Sequence, residues 1–182
     1  MKKTAIILAD GFEEVEALTP VDLLRRAQLV CDMLALEDRE TVIGSHGIAI
    51  RADKCLRDAD LDSYDGIILP GGLRGTQKLA GDARVLELLR RFHAEGKLTA
   101  AICAAPTVLA RAGLLEGRRA VSYPRMEDQL GGALVGTEAV ALDGTVLTSR
   151  GLGTAIPFAL ALVEYFCGAE KAGEIASRIV YR

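Results

Sequence analysis

An α/β fold on a largely parallel sheet is predicted by three features of this 182-residue sequence. Strand-like apolar runs alternate with helix-periodic segments, the order expected of parallel strands joined by helical crossovers. Two of the runs, Gly66-Ile-Ile-Leu-Pro70 and Leu98-Thr-Ala-Ala-Ile102, are apolar or small throughout, like strands covered on both faces. No repeat, low-complexity stretch or linker interrupts the order, so residues 1–182 read as one domain, long enough for a sizeable core.

The elements follow in turn. Lys3–Ala9 reads as the first strand and Glu13–Ala27 as an amphipathic helix with Val15, Leu18, Val21 and Leu24 facing inward. Pro20 should kink or restart that helix. Val30–Leu36 is the second strand, and Thr41–Ile50 a hairpin turning at Gly44–Gly47. The strand Gly66–Pro70 ends in Gly71-Gly72, followed by a short helix near Leu73–Leu79 and a longer one at Ala83–Glu95. Leu98–Ile102 leads to Cys103, after which Pro106 suits the first turn of a helix that Gly113 ends. A strand at Arg119–Ser122 and an antiparallel pair between Ala133 and Thr148 come next. Helices at Ala155–Cys167 and Glu170–Val180 close the chain.

Composition excludes several functions. With 22 basic and 25 acidic residues the formal charge is −3, and no basic run or aromatic platform marks a nucleic-acid surface. The apolar run after Met1-Lys-Lys-Thr is too short for a signal-peptide core, and no segment approaches the ~18 apolar residues of a membrane span. Cysteines 31, 55, 103 and 167 lack metal-site spacing and read as free thiols in a reducing cytosol.

Ligands of open α/β sheets bind beyond the carboxyl ends of the strands. Asp10–Glu16, Gly71-Gly72, Cys103-Ala104 and Tyr123 all follow strands and should share that rim. Pro70-Gly-Gly-Leu-Arg-Gly75 lacks both the Gly-Lys-Ser/Thr ending of a phosphate loop and the dinucleotide fingerprint. Cys103, at a strand-to-helix junction, resembles a nucleophile elbow with cysteine in the serine's place. The unpaired N–H groups and dipole of the following helix favour its thiolate. A Cys-His catalytic pair needs an imidazole beside the thiol. His93 sits in an apolar helix pattern, His46 occupies the hairpin turn, and residue 104 is alanine. Among the acidic residues Glu13, Glu14 and Glu16, the first two read as ordinary partners of a helix N-terminus. Glu16, held against the core at the rim, would have a raised pKa and donate a hydrogen bond to a thiolate.

Four segments together are more specific: Ala9-Asp-Gly-Phe-Glu-Glu-Val-Glu-Ala-Leu-Thr-Pro-Val-Asp-Leu-Leu-Arg-Arg-Ala27, Leu69-Pro-Gly-Gly72, Ala101-Ile-Cys-Ala-Ala-Pro106 and Leu147-Thr-Ser-Arg-Gly-Leu-Gly-Thr154. In this order they resemble the ThiJ/PfpI superfamily, and within it the branch of the parkinsonism-associated protein deglycase and its bacterial relatives. The resemblance runs from about residue 3 to 180. It implies a flavodoxin-like three-layer sandwich, usually a homodimer, with Cys103 as the elbow cysteine and Glu16 as its buried partner. The backbone N–H groups of Gly72 and Ala104 become the oxyanion-type donors. Three departures stand out. Tyr123-Pro124 replaces a common His-Pro pair, and a tyrosine hydroxyl is a poor base near neutral pH. His46 stands where the branch often has an arginine near the dimer-side pocket, and Leu152 replaces a proline. Ala104 sets the chain apart from the protease-like members, which have histidine after the cysteine.

The resemblance implies a cofactor-free, metal-free glyoxalase or deglycase acting on methylglyoxal-type dicarbonyls or their early adducts on thiols and amines. An oxidative-stress sensor or redox-regulated chaperone using the same cysteine is the alternative. Thiazole or thiamine metabolism, the older family label, finds no phosphate loop here. A cytoplasmic homodimer with no nucleic-acid or membrane partner is expected. The first helix and the hairpin would make the contact and bring Arg26 and His46 near the pocket.

Overall fold

The computed structural model describes residues 2–182. From β1 (Lys3–Leu8) the chain passes through α1 (Glu14–Arg26) to β2 (Val30–Ala35), which pairs parallel with β1. β3 (Thr41–Ile43) and β4 (Ala49–Arg51) form the expected hairpin, and β5 (Lys54–Cys55) adds an unanticipated two-residue edge to β2. β6 (Gly66–Leu69) then returns to the other side of β1, followed by α2 (Leu73–Gly81) and α3 (Ala83–Ala94). β7 (Leu98–Ile102) pairs with β6 and leads through Cys103 into α4 (Pro106–Arg111). After β8 (Arg119–Ala120) and β9 (Leu134–Val135) come β10 (Val140–Asp143) and β11 (Val146–Ser149). α5 (Ala155–Cys167) and α6 (Ala169–Arg178) complete the chain.

The central sheet has the order β10-β11-β7-β6-β1-β2-β5 and is parallel except at β10. Alternation along β1 creates the layers. Ile6 and Leu8 join one cluster with Val21, Leu24, Phe158, Leu162 and Ile175, the inner faces of α1, α5 and α6. Ala5 and Ile7 point to the opposite cluster with Leu79, Leu88, Phe92, Val108 and Leu109 on α2, α3 and α4. A strand apolar at every position must be covered on both faces, and a flavodoxin-like three-layer sandwich results. Because β2 and β6 flank β1 on opposite sides, the chain reverses direction across the sheet at β1. The carboxyl ends of β1 and β6 therefore part to leave a crevice.

Several details differ from the sequence reading. Val15 is 45% exposed and Leu18 only half-buried, whereas Val21 and Leu24 are buried. At ~100° per residue, Val15 lies about half a turn out of phase with Leu24 and takes the outer face. The helix continues through Pro20 without restarting. In the Ala133–Thr148 segment only β10 and β11 pair antiparallel, while β9 pairs parallel with β8. The strand at Arg119–Ser122 stops at Ala120, because the Val121 N–H donates to the Thr148 hydroxyl (3.0 Å) instead of to a backbone ladder.

Candidate active site

Cys103 directly follows β7 and has φ +66°, a left-handed conformation unusual for a residue with a side chain. Such a position costs on the order of 1–3 kcal/mol and persists only where neighbours enforce it. Here two backbone bonds do so. The Cys103 N–H donates to the Ser149 carbonyl (3.0 Å), and its own carbonyl accepts from the Tyr123 N–H (2.8 Å). The turn leaves the sulfur half-buried at the rim, where the backbone N–H groups of Gly72 and Ala104 and the Glu16 carboxyl all act on it.

Glu16 reaches the sulfur from the first turn of α1 and is only 1% exposed. Glu13 caps this helix, its Oε2 accepting from the Glu16 N–H at 2.7 Å. Oε2 of Glu16 accepts from the Gly71 N–H (3.1 Å), and the backbone of Leu152 also favours the charged carboxylate. The close approach depends on glycine. A Cβ at Gly71 would collide with Oε2 of Glu16 and lie 2.5 Å from Cβ of Cys103. Gly72, at φ +89°, presses against the backbone of Gly11–Glu13 and so joins the β6–α2 turn to the β1–α1 turn.

The electrostatics differ from the expectation of a thiolate favoured by the helix alone. Burial, then the charge and hydrogen bond of Glu16, push the Cys103 thiol up to about 12, against the lowering effect of the two N–H donors. Burial likewise pushes Glu16 up to about 7. The bond from Cys103 pulls it down, and the nearby charge of Glu13 adds to the rise. Glu16 raises the thiol while the bond from Cys103 lowers the carboxyl, so above about pH 7 sulfur and carboxyl hold one proton between them. When that proton sits on Glu16, two of the three influences raising the thiol vanish and the Gly72 and Ala104 N–H groups stabilise the thiolate.

The remaining candidates divide. Tyr123 is 51% exposed, and its ring flanks Gly151, which also lies beside Oε1 of Glu16. His46 turns to Glu14 and not to the thiol: its N–H donates to Oε1 (2.7 Å), and Nδ1 lies 3.0 Å from Oε2. Arg26 occupies the far end of α1, roughly 15 Å along the helix from Glu16, paired with Asp22. Within this chain it does not join the pocket.

Glu14 was missed by reading the sequence. It is buried, and bonds from the His46 ring, the His46 N–H and the Ser45 hydroxyl outweigh that burial and hold its carboxyl at about 2. Gly44 was the available signal, since a Cβ there would collide with the Glu14 carboxylate. Among the described residues, Glu13, Glu14 and His46 bring potential ligand atoms within 4.8 Å of one another. Their oxygens already accept four hydrogen bonds, so the group is a latch between hairpin and helix. All four cysteines are free. Cys31 and Cys55 are buried, and Cys167 is exposed at the end of α5.

Comparison with known proteins agrees with this geometry. The chain is 40% identical to protein dj-1beta of Drosophila melanogaster over 181 residues, covering 98% of this chain and 97% of that protein. It is 32% identical to a deglycase of Pyrococcus abyssi over 150 residues, covering 81% and 89% respectively. The solved structure of oxidized Toxoplasma gondii DJ-1 superposes with a TM-score of 0.95 at 37% identity, covering 100% of this chain and 99% of that one. With residues 2–165 matching the family as a whole, the chain belongs to the DJ-1/PfpI family.

Proposed function

We propose that the protein is a cofactor-free glyoxalase and deglycase that converts methylglyoxal-type dicarbonyls, free or carried as early thiol or amine adducts, to hydroxy acids. The observation that carries this reading is the contact between the Cys103 sulfur and a buried carboxyl raised to about 7. A group near that value both gives and takes protons at neutral pH.

The Cys103 thiolate attacks the aldehyde carbon while the Glu16 proton goes to the carbonyl oxygen, giving a hemithioacetal. Glu16, now a carboxylate, removes the hydrogen of that carbon as a proton. The electron pair forms an enediolate, and Glu16 delivers the proton to the neighbouring carbon. The first carbon is thereby oxidised to a thioester and the second reduced to an alcohol, with a proton passing between their two oxygens. Water then cleaves the thioester, returning a proton to sulfur and releasing the hydroxy acid. An early adduct on a thiol enters the same path when its hemithioacetal releases the dicarbonyl to Cys103. Purified protein should convert methylglyoxal to lactate, and Cys103→Ser should lose at least 10²-fold in rate. Equal rates for the two proteins would refute the proposal.

Oxidation of Cys103 by two equivalents of peroxide, through the sulfenate to a sulfinate with water released at each step, is a competing fate favoured by the same surroundings, since Glu16 and two N–H groups suit an oxygen-bearing sulfur. It would supply the redox-sensing alternative. We also propose a homodimer in the cytosol. Its support is an exposed apolar face of Val15, Ile48, Ile156 and Val180 between α1, the hairpin and the C-terminal helices.

A further inference from the structure

Gly72 and Ala104, whose N–H groups meet the Cys103 sulfur, each lead straight toward a helix. α2 and α4 thus both start at the thiol and run away from it, and a groove of about 400 Å³ lies between them. Leu73 and Thr107 line its thiol end, and Thr76, Gln77, Gln129 and Arg111 line the rest. The Thr107 hydroxyl is occupied by the Ala104 carbonyl at 2.7 Å. Two others lack a partner among the described residues. Thr76 is 4% exposed, yet its hydroxyl makes no hydrogen bond. Arg111 is exposed and forms no ion pair with any carboxylate described, although most of the chain's cations do.

We propose that this groove binds the peptide portion of an anionic, peptide-borne substrate whose adduct is delivered to Cys103. The proposal rests on the reading of Cys103 given under Proposed function and extends it to substrate class. Native proteins rarely leave a buried hydroxyl unpaired, and one in the wall of a groove, just beneath its surface, suits an amide of a ligand that settles into that wall. The carboxamides of Gln77 and Gln129 offer both donors and acceptors to a peptide backbone. At 1.5 Å per residue, Arg111 lies roughly 8 Å along α4 from Pro106. An extended peptide advances ~3.4 Å per residue, and the thiol lies before Pro106, so the long Arg111 side chain, reaching back toward it, meets a carboxylate about two to three residues from the modified one. A guanidinium recognises that carboxylate by charge and by its paired N–H donors.

Binding can be measured apart from turnover. Cys103→Ser protein is titrated with S-methylated N-acetyl-Cys-Ala-Glu and with its neutral counterpart, S-methylated N-acetyl-Cys-Ala-Gln amide. The acidic peptide should bind at least fivefold more tightly, and Arg111→Glu on that background should abolish or invert the preference. Thr76→Val should weaken both peptides severalfold while leaving Tm unchanged or higher, because it removes a hydroxyl that has no partner in the free protein. Equal affinity for the two peptides, or a preference that survives Arg111→Glu, would overturn the proposal. The methylglyoxal hemithioacetals of the unmethylated peptides then test the chemistry with wild-type protein. Preference without turnover would leave the groove standing and refute the glyoxalase reading, whereas turnover without preference would refute the groove alone.

Discussion

At the scale of single residues, the site is defined by what burial does to Glu16. Its value of about 7 lies above the ordinary 4.5, so the folded state binds a proton more tightly than the unfolded chain. Stability is therefore lost as pH rises from 4.5 through 7, by about 3 kcal/mol for a full shift of this size. Glu16→Gln removes the titration. Its Tm relative to wild type should climb between pH 4.5 and 7 and stay level above, as thermal melts across that range would reveal; a constant offset would contradict the account. That Cys103 and Glu16 share a rim was legible in the sequence, because one ends a small-residue strand and the other stands one turn into a helix, whereas their pairing came from the resemblance of the four segments. The direction of the thiol shift was not legible. It depends on how deeply the sulfur sits and on the nearness of a second anion, both products of Gly71 lacking a side chain.

At the scale of elements, the β3–β4 hairpin is tied to α1 through Glu14. That carboxyl, lowered to about 2, contributes stability that is complete above 4.5 and fades as pH falls toward 2. His46 is raised above 6.5, chiefly by its hydrogen bond to Glu14, so its share is complete below 6.5 and lost as pH rises through its folded value. The latch is accordingly tightest between about pH 4.5 and 6.5. Hydrogen exchange corrected for intrinsic rate should show the His46 N–H best protected in that window. Glu14→Gln should cost about 1–3 kcal/mol by leaving buried donors poorly matched, and should speed exchange at residues 44–47 before the core. Protection that is flat with pH, or unaffected by the substitution, would rule the latch out. The sequence placed the hairpin correctly, yet offered no sign that Glu14 would be buried. Adjacent acidic residues in a first turn look alike until a neighbouring loop covers one of them.

At the scale of the whole molecule, strand order creates the site. The reversal at β1 opens the crevice, and the turns after β1, β6 and β7 bring Glu16, Gly72 and Cys103 together. Alternating strand and helix signals made this architecture legible. The phase of α1 was misjudged because the helix carries two apolar stripes. Val21 and Leu24 face the sheet, while Val15 and half-buried Leu18 flank an open groove with Ile48 and Ile156. A stripe left uncovered in this way supports the proposed dimer. Light scattering at micromolar concentration should give twice the 19.4 kDa chain mass, and Val15→Lys should shift the population toward the single chain. A wild-type particle of one chain mass would remove Arg26 from consideration at the pocket, since only a second subunit could bring it there.

The central claim, one proton shared by Cys103 and Glu16, is tested most directly by the pH dependence of Cys103 alkylation. With both groups protonated the sulfur is inert. Loss of the first proton near pH 7 leaves one proton for both groups, and the fraction of molecules in which it rests on Glu16 presents a thiolate. The rate of carbamidomethylation at Cys103, followed by mass spectrometry, should rise through about pH 7 to a plateau in wild-type protein. In Glu16→Gln the step at 7 should disappear, leaving a single titration that belongs to the thiol alone. A wild-type profile that climbs with no step near 7, or a step that persists in Glu16→Gln, would contradict the shared proton.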